Sequence, residues 1–206
     1  GEGRWKGWWR YLHRARPKRR QRRARKQQVK TLIKQRVSIA ERPEAINQRM
    51  RMGDWESDLA LFKRQKTSLS VQYERKAMLT RMHKVADKTA EENEQAIRKS
   101  MDDFPGYMFQ SLTFDNGLEN VCHNTLGVDT FFCDPFSAWQ KGGVENAIGI
   151  IRRYLPRDTD LSMISDEDIE GIQEAINSRP RKRLRYLSPN EVIAKELNPA
   201  SGALNS

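Results

Sequence analysis

Residues 53–62, GDWESDLALF, decide the fold: they read as a β-strand carrying a carboxylate, Asp58, among Trp55, Leu59, Ala60, Leu61 and Phe62. A buried, unpaired carboxylate is costly, so Asp58 calls for a cation or a donor. Glu56 and Asp54 are rivals for that role, and a surface-facing aspartate on a half-exposed strand is the plainer alternative. Downstream, LSVQYE (69–74) and AMLTRMHKV (77–85) read as two further strands, and the short connection Arg75-Lys76 makes them a hairpin. Thr89-Ala-Glu-Glu92 is a capping box and predicts a helix running to about Asp102, before the break at Pro105-Gly106. QSLTFD (110–115) is a fourth strand, with Leu112 and Phe114 on one face and Ser111, Thr113 and Asp115 on the other. VDTFFCD (128–134) is a fifth, stopped by Pro135. Gly143 to Tyr154 reads as a helix, and Ser165 caps another that ends before Pro180. Three strands, a helix, two strands and two helices predict a mixed α/β layer architecture.

Outward from this core the chain changes character. Residues 1–36 hold 15 Lys or Arg against one acid, Glu2, although the net charge of all 206 residues is +11. The excess positive charge therefore belongs to an N-terminal arm, and the remainder is slightly acidic. Such an arm suits phosphate neutralisation and counterion release on nucleic acid, with Arg19, Arg20, Arg22, Arg23, Arg25 and Lys26 as its candidate DNA contacts. A solvated tail is the alternative; a membrane-surface helix is not, since RARPKRRQRRARK has no apolar face. Residues 37–53 form a connector with a short helical stretch after Pro43, so the expected organisation is arm and connector over 1–53, core over 54–197 and tail over 198–206.

Cys122 and Cys133 have no CxxC spacing, and His13, His83 and His123 are scattered, so neither a zinc site nor a disulfide framework is signalled. No apolar run of membrane-spanning length and no signal-peptide stretch is found. The expectation is a soluble, cytoplasmic, nucleoid-associated bacterial protein without a membrane partner.

Three acidic residues stand in separate stretches: Asp58, Asp115 at a strand end followed by the Asn116-Gly117 turn, and Glu145, one turn into the helix of WQKGGVENAIGIIRRYLP. Converging carboxylates from such elements can hold two magnesium ions for phosphoryl transfer on DNA. Each has a plainer reading: turn chemistry for Asp115, an exposed first-turn glutamate for Glu145. On the helix, Val144, Ile148, Ile151 and Leu155 form an apolar stripe, with Glu145 and Arg152 above one another on its flank. Glu145 can then lean toward the aspartates while Arg152 meets phosphate. Asn116 and Asn146 are candidate DNA-positioning groups. Trp139, Gln140 and Lys141 precede the helix, where Trp139 could stack on a base or equally belong to the core. Arg181 and Lys182, with Arg179, Arg183 and Arg185, form a second basic patch.

The strings GDWESDL, TFDNGLE, FFCDPFSAWQKGGVENAIGIIRRYLPR and NSRPRKRLRYLSPNEV resemble the insertion-sequence transposases of the IS-thirty type, within the DDE transposase and retroviral-integrase group. The resemblance runs from about Leu12 to Leu197. It implies a ribonuclease-H-like core with a mixed five-stranded sheet flanked by helices, and a DDE triad of Asp58, Asp115 and Glu145. It also implies two Mg2+ ions, for which Mn2+ can substitute, and a homo-oligomer acting on DNA, both transposon ends and target. The implied reaction is metal-dependent strand cleavage and strand transfer; a non-catalytic DNA-binding remnant and a ribonuclease-H-like nuclease are the alternatives. Two features depart from the pattern. The family's helix-turn-helix region has no room ahead of Arg14, and only 29 residues separate Asp115 from Glu145. Both lead to the expectation of a shortened copy.

Overall fold

Alternation sorts β2 (Asp54–Leu61) into two faces, with Trp55, Ser57 and Leu59 on one and Asp54, Glu56, Asp58 and Ala60 on the other. The computed structural model describes residues 33–198 except Phe136, and within it both faces are covered. β2 pairs antiparallel with β3 (Ser68–Glu74), which pairs antiparallel with β4 (Thr80–Val85). On its other side β2 runs parallel to β5 (Ser111–Phe114), and β5 runs parallel to β6 (Asp129–Phe132). The sheet has six strands rather than the expected five. Val37–Ser38 (β1) in the connector pairs parallel with Phe131–Phe132 of β6, giving the order β1-β6-β5-β2-β3-β4. Two residues flanked by a basic run carry no period-2 signal, so only the open edge of β6 makes them a strand. A four-residue helix, α1 (Glu44–Asn47), follows Pro43 as expected.

Helix α2 (Ala90–Asp102) covers one face, with Thr89 at its N-cap accepting from the Glu92 amide. Beneath the sheet on this side lies an apolar cluster of Trp55, Leu112, Phe114, Ile97, Phe109 and Phe132. The Trp55 indole stacks on Phe109 at 4.7 Å between ring centroids and donates Nε1–H to the Met108 carbonyl at 2.8 Å, so its polar handle is satisfied inside the core. The opposite face is covered by α3 (Gly142–Ile151) and α4 (Asp166–Asn177). Here Val144, Ala147, Ile151 and Leu155 meet Ala60, Leu69, Val71 and Tyr73; of the expected stripe Val144, Ile151 and Leu155 are buried, while Ile148 is only partly so and Ala147 joins them. Ser165 caps α4 as predicted, and α5 (Pro189–Leu197) closes the described chain with Ile193 against the first cluster.

Entry into β2 depends on Gly53. Its φ is +93°, and a Cβ there would lie 2.8 Å from the Tyr107 carbonyl oxygen and 2.9 Å from the Met108 carbonyl carbon. Both the left-handed backbone and the close approach exclude a side chain. Gly53→Ala is expected to cost at least about 1–3 kcal/mol, the usual range for a strained backbone residue, read as a lower urea midpoint at unchanged slope. A midpoint within error of the parent would show that the segment can relax.

Candidate active site

Register brings the two aspartates together. β2 and β5 are paired in parallel with Asp54 beside Ser111 and Glu56 beside Thr113, so two residues further along the same face Asp58 comes level with Asp115. Adjacent strands lie about 4.8 Å apart. From β2 the chain turns back into β3 on one side, whereas β5 lies on the other; the pair therefore stands at a switch point of the sheet, where open α/β folds gather ligands.

Three carboxylates line this face of β2, and each has its own cation. Asp54 takes Arg51 at 3.0 Å and the Ser111 hydroxyl at 2.6 Å. Glu56, wholly buried, pairs with Arg75 and accepts the Val144 amide at 2.9 Å. That last bond seats the N-terminus of α3 on β2 and supplies a negative charge where helix amides need one. Gly143 packs so closely there that a Cβ would lie 2.5 Å from the Tyr73 ring and 2.7 Å from Glu56 Oε2. Asp54 and Glu56, rivals of Asp58 on sequence, are thus consumed by the scaffold.

Asp58 meets Lys141. The ammonium Nζ lies 2.9 Å from Asp58 Oδ2 and 3.5 Å from Asp115 Oδ2, and the lysine side chain is only 5% exposed. Burial works against the charge on Lys141, but the carboxylates of Asp58 and Asp115 outweigh it and raise its pKa. Each aspartate uses its other oxygen locally. Asp58 Oδ1 accepts from the Leu59 amide at 2.8 Å; Asp115 Oδ1 accepts from the Gly117 amide at 3.0 Å and from Asn120 Nδ2 at 3.1 Å. The two Oδ2 atoms are left facing one cation position.

Glu145 is not part of this cluster. It sits in the first turn of α3, as expected, but is exposed and makes no hydrogen bond or ion pair among the described residues. Among those residues no three Asp, Glu, His or Cys side chains stand together as a group that could hold a metal ion. The aspartates converge on the Lys141 ammonium, and Glu145 has no part in that contact.

Several candidate DNA contacts are engaged elsewhere. Asn116 ties strand ends together, accepting from Arg36 Nε at 2.8 Å and donating to the Cys133 carbonyl at 2.7 Å. Arg152 lies over the Phe62 ring at 4.3 Å and donates to the Leu61 carbonyl, so it packs on the end of β2 instead of reaching outward. Gln140 closes its loop by exchanging two hydrogen bonds with Asp134. Arg181 donates to the Ile176 carbonyl, while Lys182, Arg183 and Arg185 are exposed beside Tyr186. Trp139 is 75% exposed, which removes its core reading, and Asn146 is exposed. Arg19, Arg20, Arg22, Arg23, Arg25 and Lys26 lie outside the described residues. The His123 ring nitrogens face Thr130 Oγ1 at 2.7 Å and the Lys34 carbonyl at 2.9 Å, a structural use.

Sequence reading missed the support behind Asp115. Asn120 Oδ1 accepts from Asn93 Nδ2 at 3.2 Å, Asn93 Oδ1 accepts from Ser70 at 2.7 Å, and Gln72 with Ser100 continues the chain beneath α2. Asn93 and Ser100, spaced with Ala96 and Ile97 on one face of α2, were the available signal. Glu119 was also missed: burial, reinforced by the Asp115 and Asp58 carboxylates, raises its pKa. Asn93→Ala and Asn120→Ala are each expected to cost about 1–3 kcal/mol by orphaning the partner. The double variant should cost less than the sum, as coupled neighbours do. Urea denaturation of the four proteins measures this, and strict additivity would show that the bonds act independently.

No protein-family model matches the chain. Among curated proteins it is 38% identical over 168 residues to the transposase for insertion sequence element IS1086 of Cupriavidus metallidurans, covering 79% of this chain and 50% of the relative. It is 33% identical over 179 residues to the transposase for element IS4351 of Bacteroides fragilis, covering 83% and 53%. It is 32% identical over 161 residues to transposase InsI for element IS30A of Escherichia coli, covering 76% and 42%. The chain thus spans about half the length of the curated relatives it matches. In structure it resembles the catalytic core domain of BIV integrase (TM-score 0.51, 18% identity, 72% of this chain and 97% of that one). It also resembles the HTLV-2 integrase catalytic core domain in complex with magnesium (TM-score 0.50, 16% identity, 69% and 96%). The chain is a relative of the insertion-sequence transposases, IS30-type elements among them, and its fold is the ribonuclease-H-like one of integrase catalytic cores.

Proposed function

We propose that this chain carries the catalytic core of a DDE transposase, a polynucleotidyl transferase that cleaves DNA strands and joins them to a target. The observation that carries the reading is the convergence of Asp58 Oδ2 and Asp115 Oδ2 on one cation position, at the switch point of an integrase-type sheet. Oxygen donors of this kind suit Mg2+ or Mn2+, and the buried Lys141 ammonium stands where such a cation belongs. Asp58 and Asp115 would hold the metal, with Glu145 completing the set from α3. Divalent ions held there would supply activation of a water or a DNA 3′-hydroxyl and stabilisation of the leaving oxygen in an in-line displacement.

The residues of the chain do the rest. The bond from the Val144 amide to Glu56 fixes where α3 begins, and therefore the arc that Glu145 can reach. Asn120 and the Gly117 amide hold Asp115 Oδ1, which directs Oδ2 to the cation. The exposed Trp139, two residues before Lys141, would stack on a base, and the exposed Lys182, Arg183 and Arg185 would pair with phosphate, readings that their solvent exposure supports. The basic stretch over 14–36 supplies further phosphate contacts, and copies of the chain assemble on the DNA. A strand-transfer assay with Mg2+ or Mn2+ on labelled duplexes tests the reading: joined products support it, nicks alone mark a nuclease, and retention of DNA without either marks a binding remnant.

A further inference from the structure

Lys141 was expected among DNA contacts, yet it is the most buried cation near the site. Its ammonium bridges the two aspartates and has no other partner among the described residues. It also stands four residues before Glu145, at the residue that opens α3. Lys141 itself has non-helical backbone (φ −127°, ψ 44°) and is buried, whereas Glu145 stands exposed in the first turn of the helix that Lys141 caps, so the two lie at the same end of α3. The two glycines between them differ. Gly143 is wedged against Tyr73 and Glu56, whereas a Cβ on Gly142 would meet nothing within 4 Å. The helix is therefore anchored at Gly143, two residues after the lysine that carries the ammonium.

We propose that Lys141 is a positioning residue that occupies the cation seat of Asp58 and Asp115 until divalent metal displaces it, with Glu145, in the first turn of the helix that Lys141 caps, then completing the donor set. In the metal-free chain the ammonium keeps two like charges from repelling and holds the strand ends in register. Metal entry exchanges one cation for another, so the aspartates need not move. The inference rests on the proposed metal chemistry of the site and adds to it a competitor supplied by the chain itself.

The test uses the full 206-residue chain and Mn2+ as probe, with free Mn2+ read by electron paramagnetic resonance. Lys141→Met removes the competitor and should bind Mn2+ about tenfold tighter or more, a modest share of what close charge pairs are worth. Lys141→Arg keeps the cation and should bind no tighter than the parent. The parent itself provides a measurement free of folding effects. Lys141 should resist acetylation by an N-hydroxysuccinimide ester without metal and become reactive as Mn2+ saturates, located by peptide mass spectrometry. Equal affinities for parent and Lys141→Met, or a lysine still protected at saturating Mn2+, would overturn the displacement while leaving the metal site standing. Absence of Mn2+ binding in parent and variant alike would overturn both.

Discussion

Asp58→Asn, Asp115→Asn and Glu145→Gln are each expected to lower metal-dependent strand cleavage by on the order of 10³-fold, the several kcal/mol that a correctly held metal ion contributes to the transition state. The three variants should divide by a second property. Asp58 and Asp115 share the buried Lys141 ammonium at 2.9 and 3.5 Å, so either amide leaves that cation half-compensated. Their metal-free melting temperatures should fall. Glu145 is exposed and makes no polar contact among the described residues, so Glu145→Gln should change stability by less than about 0.5 kcal/mol while still losing cleavage. A loss of activity without a loss of stability is the signature of a residue used only when metal and DNA are present. Near-normal cleavage by Glu145→Gln under Mg2+ would remove it from the site. Unchanged melting of both aspartate variants would remove the shared cation as a structural link.

Arg75→Ala should be the most destabilising single change in the scaffold around the site. Arg75 is 6% and Glu56 1% exposed, and their ion pair stands under the N-terminus of α3. Buried pairs contribute little net stability, but breaking one leaves an uncompensated charge, at a cost of about 3–5 kcal/mol. For a chain of this size that lowers the melting temperature by roughly 6–20 °C. The guanidinium also donates to the Ile46 carbonyl, so α1 loses a tether at the same time. Combining Arg75→Met with Glu56→Gln removes both charges and should recover most of the loss in differential scanning calorimetry. If the double variant melts as low as the single one, packing rather than charge is the cause. Because Glu56 accepts the Val144 amide, Arg75→Ala should also loosen the seat of Glu145 and weaken Mn2+ binding.

The elements of the core were legible because their periodicity is local. Alternation in residues 54–61 and 111–114, the Thr89 and Ser165 caps, and the stripe Val144, Ile148, Ile151 and Leu155 each appear where the sequence puts them. Between the Asn116-Gly117 turn and β6 the chain makes two single helical turns, Leu118–Asn120 and His123–Leu126. β1 was not legible, since a two-residue strand carries no pattern of its own and forms only where β6 offers an edge.

The candidate site divides in the same way. Sequence alone determined that Asp58 lies on a strand and Asp115 at the end of one, that Glu145 lies in the first turn of a helix, and that these belong to a transposase-like chain. Residue type and spacing carry that much. Only the tertiary structure decided that β2 and β5 are parallel neighbours in a register that sets the aspartates side by side. It alone spent Asp54 and Glu56 on Arg51 and Arg75 and turned Arg152 and Asn116 inward. It also put Lys141, which sequence reading assigned to DNA, between the two carboxylates. The reason is physical: a charged side chain's role is fixed by which opposite charge lies within a few ångströms, and those partners stand anywhere from 3 positions away in the chain (Arg51 and Asp54) to 83 (Asp58 and Lys141). Local pattern constrains the backbone; partners for buried charge are chosen only when the sheet closes.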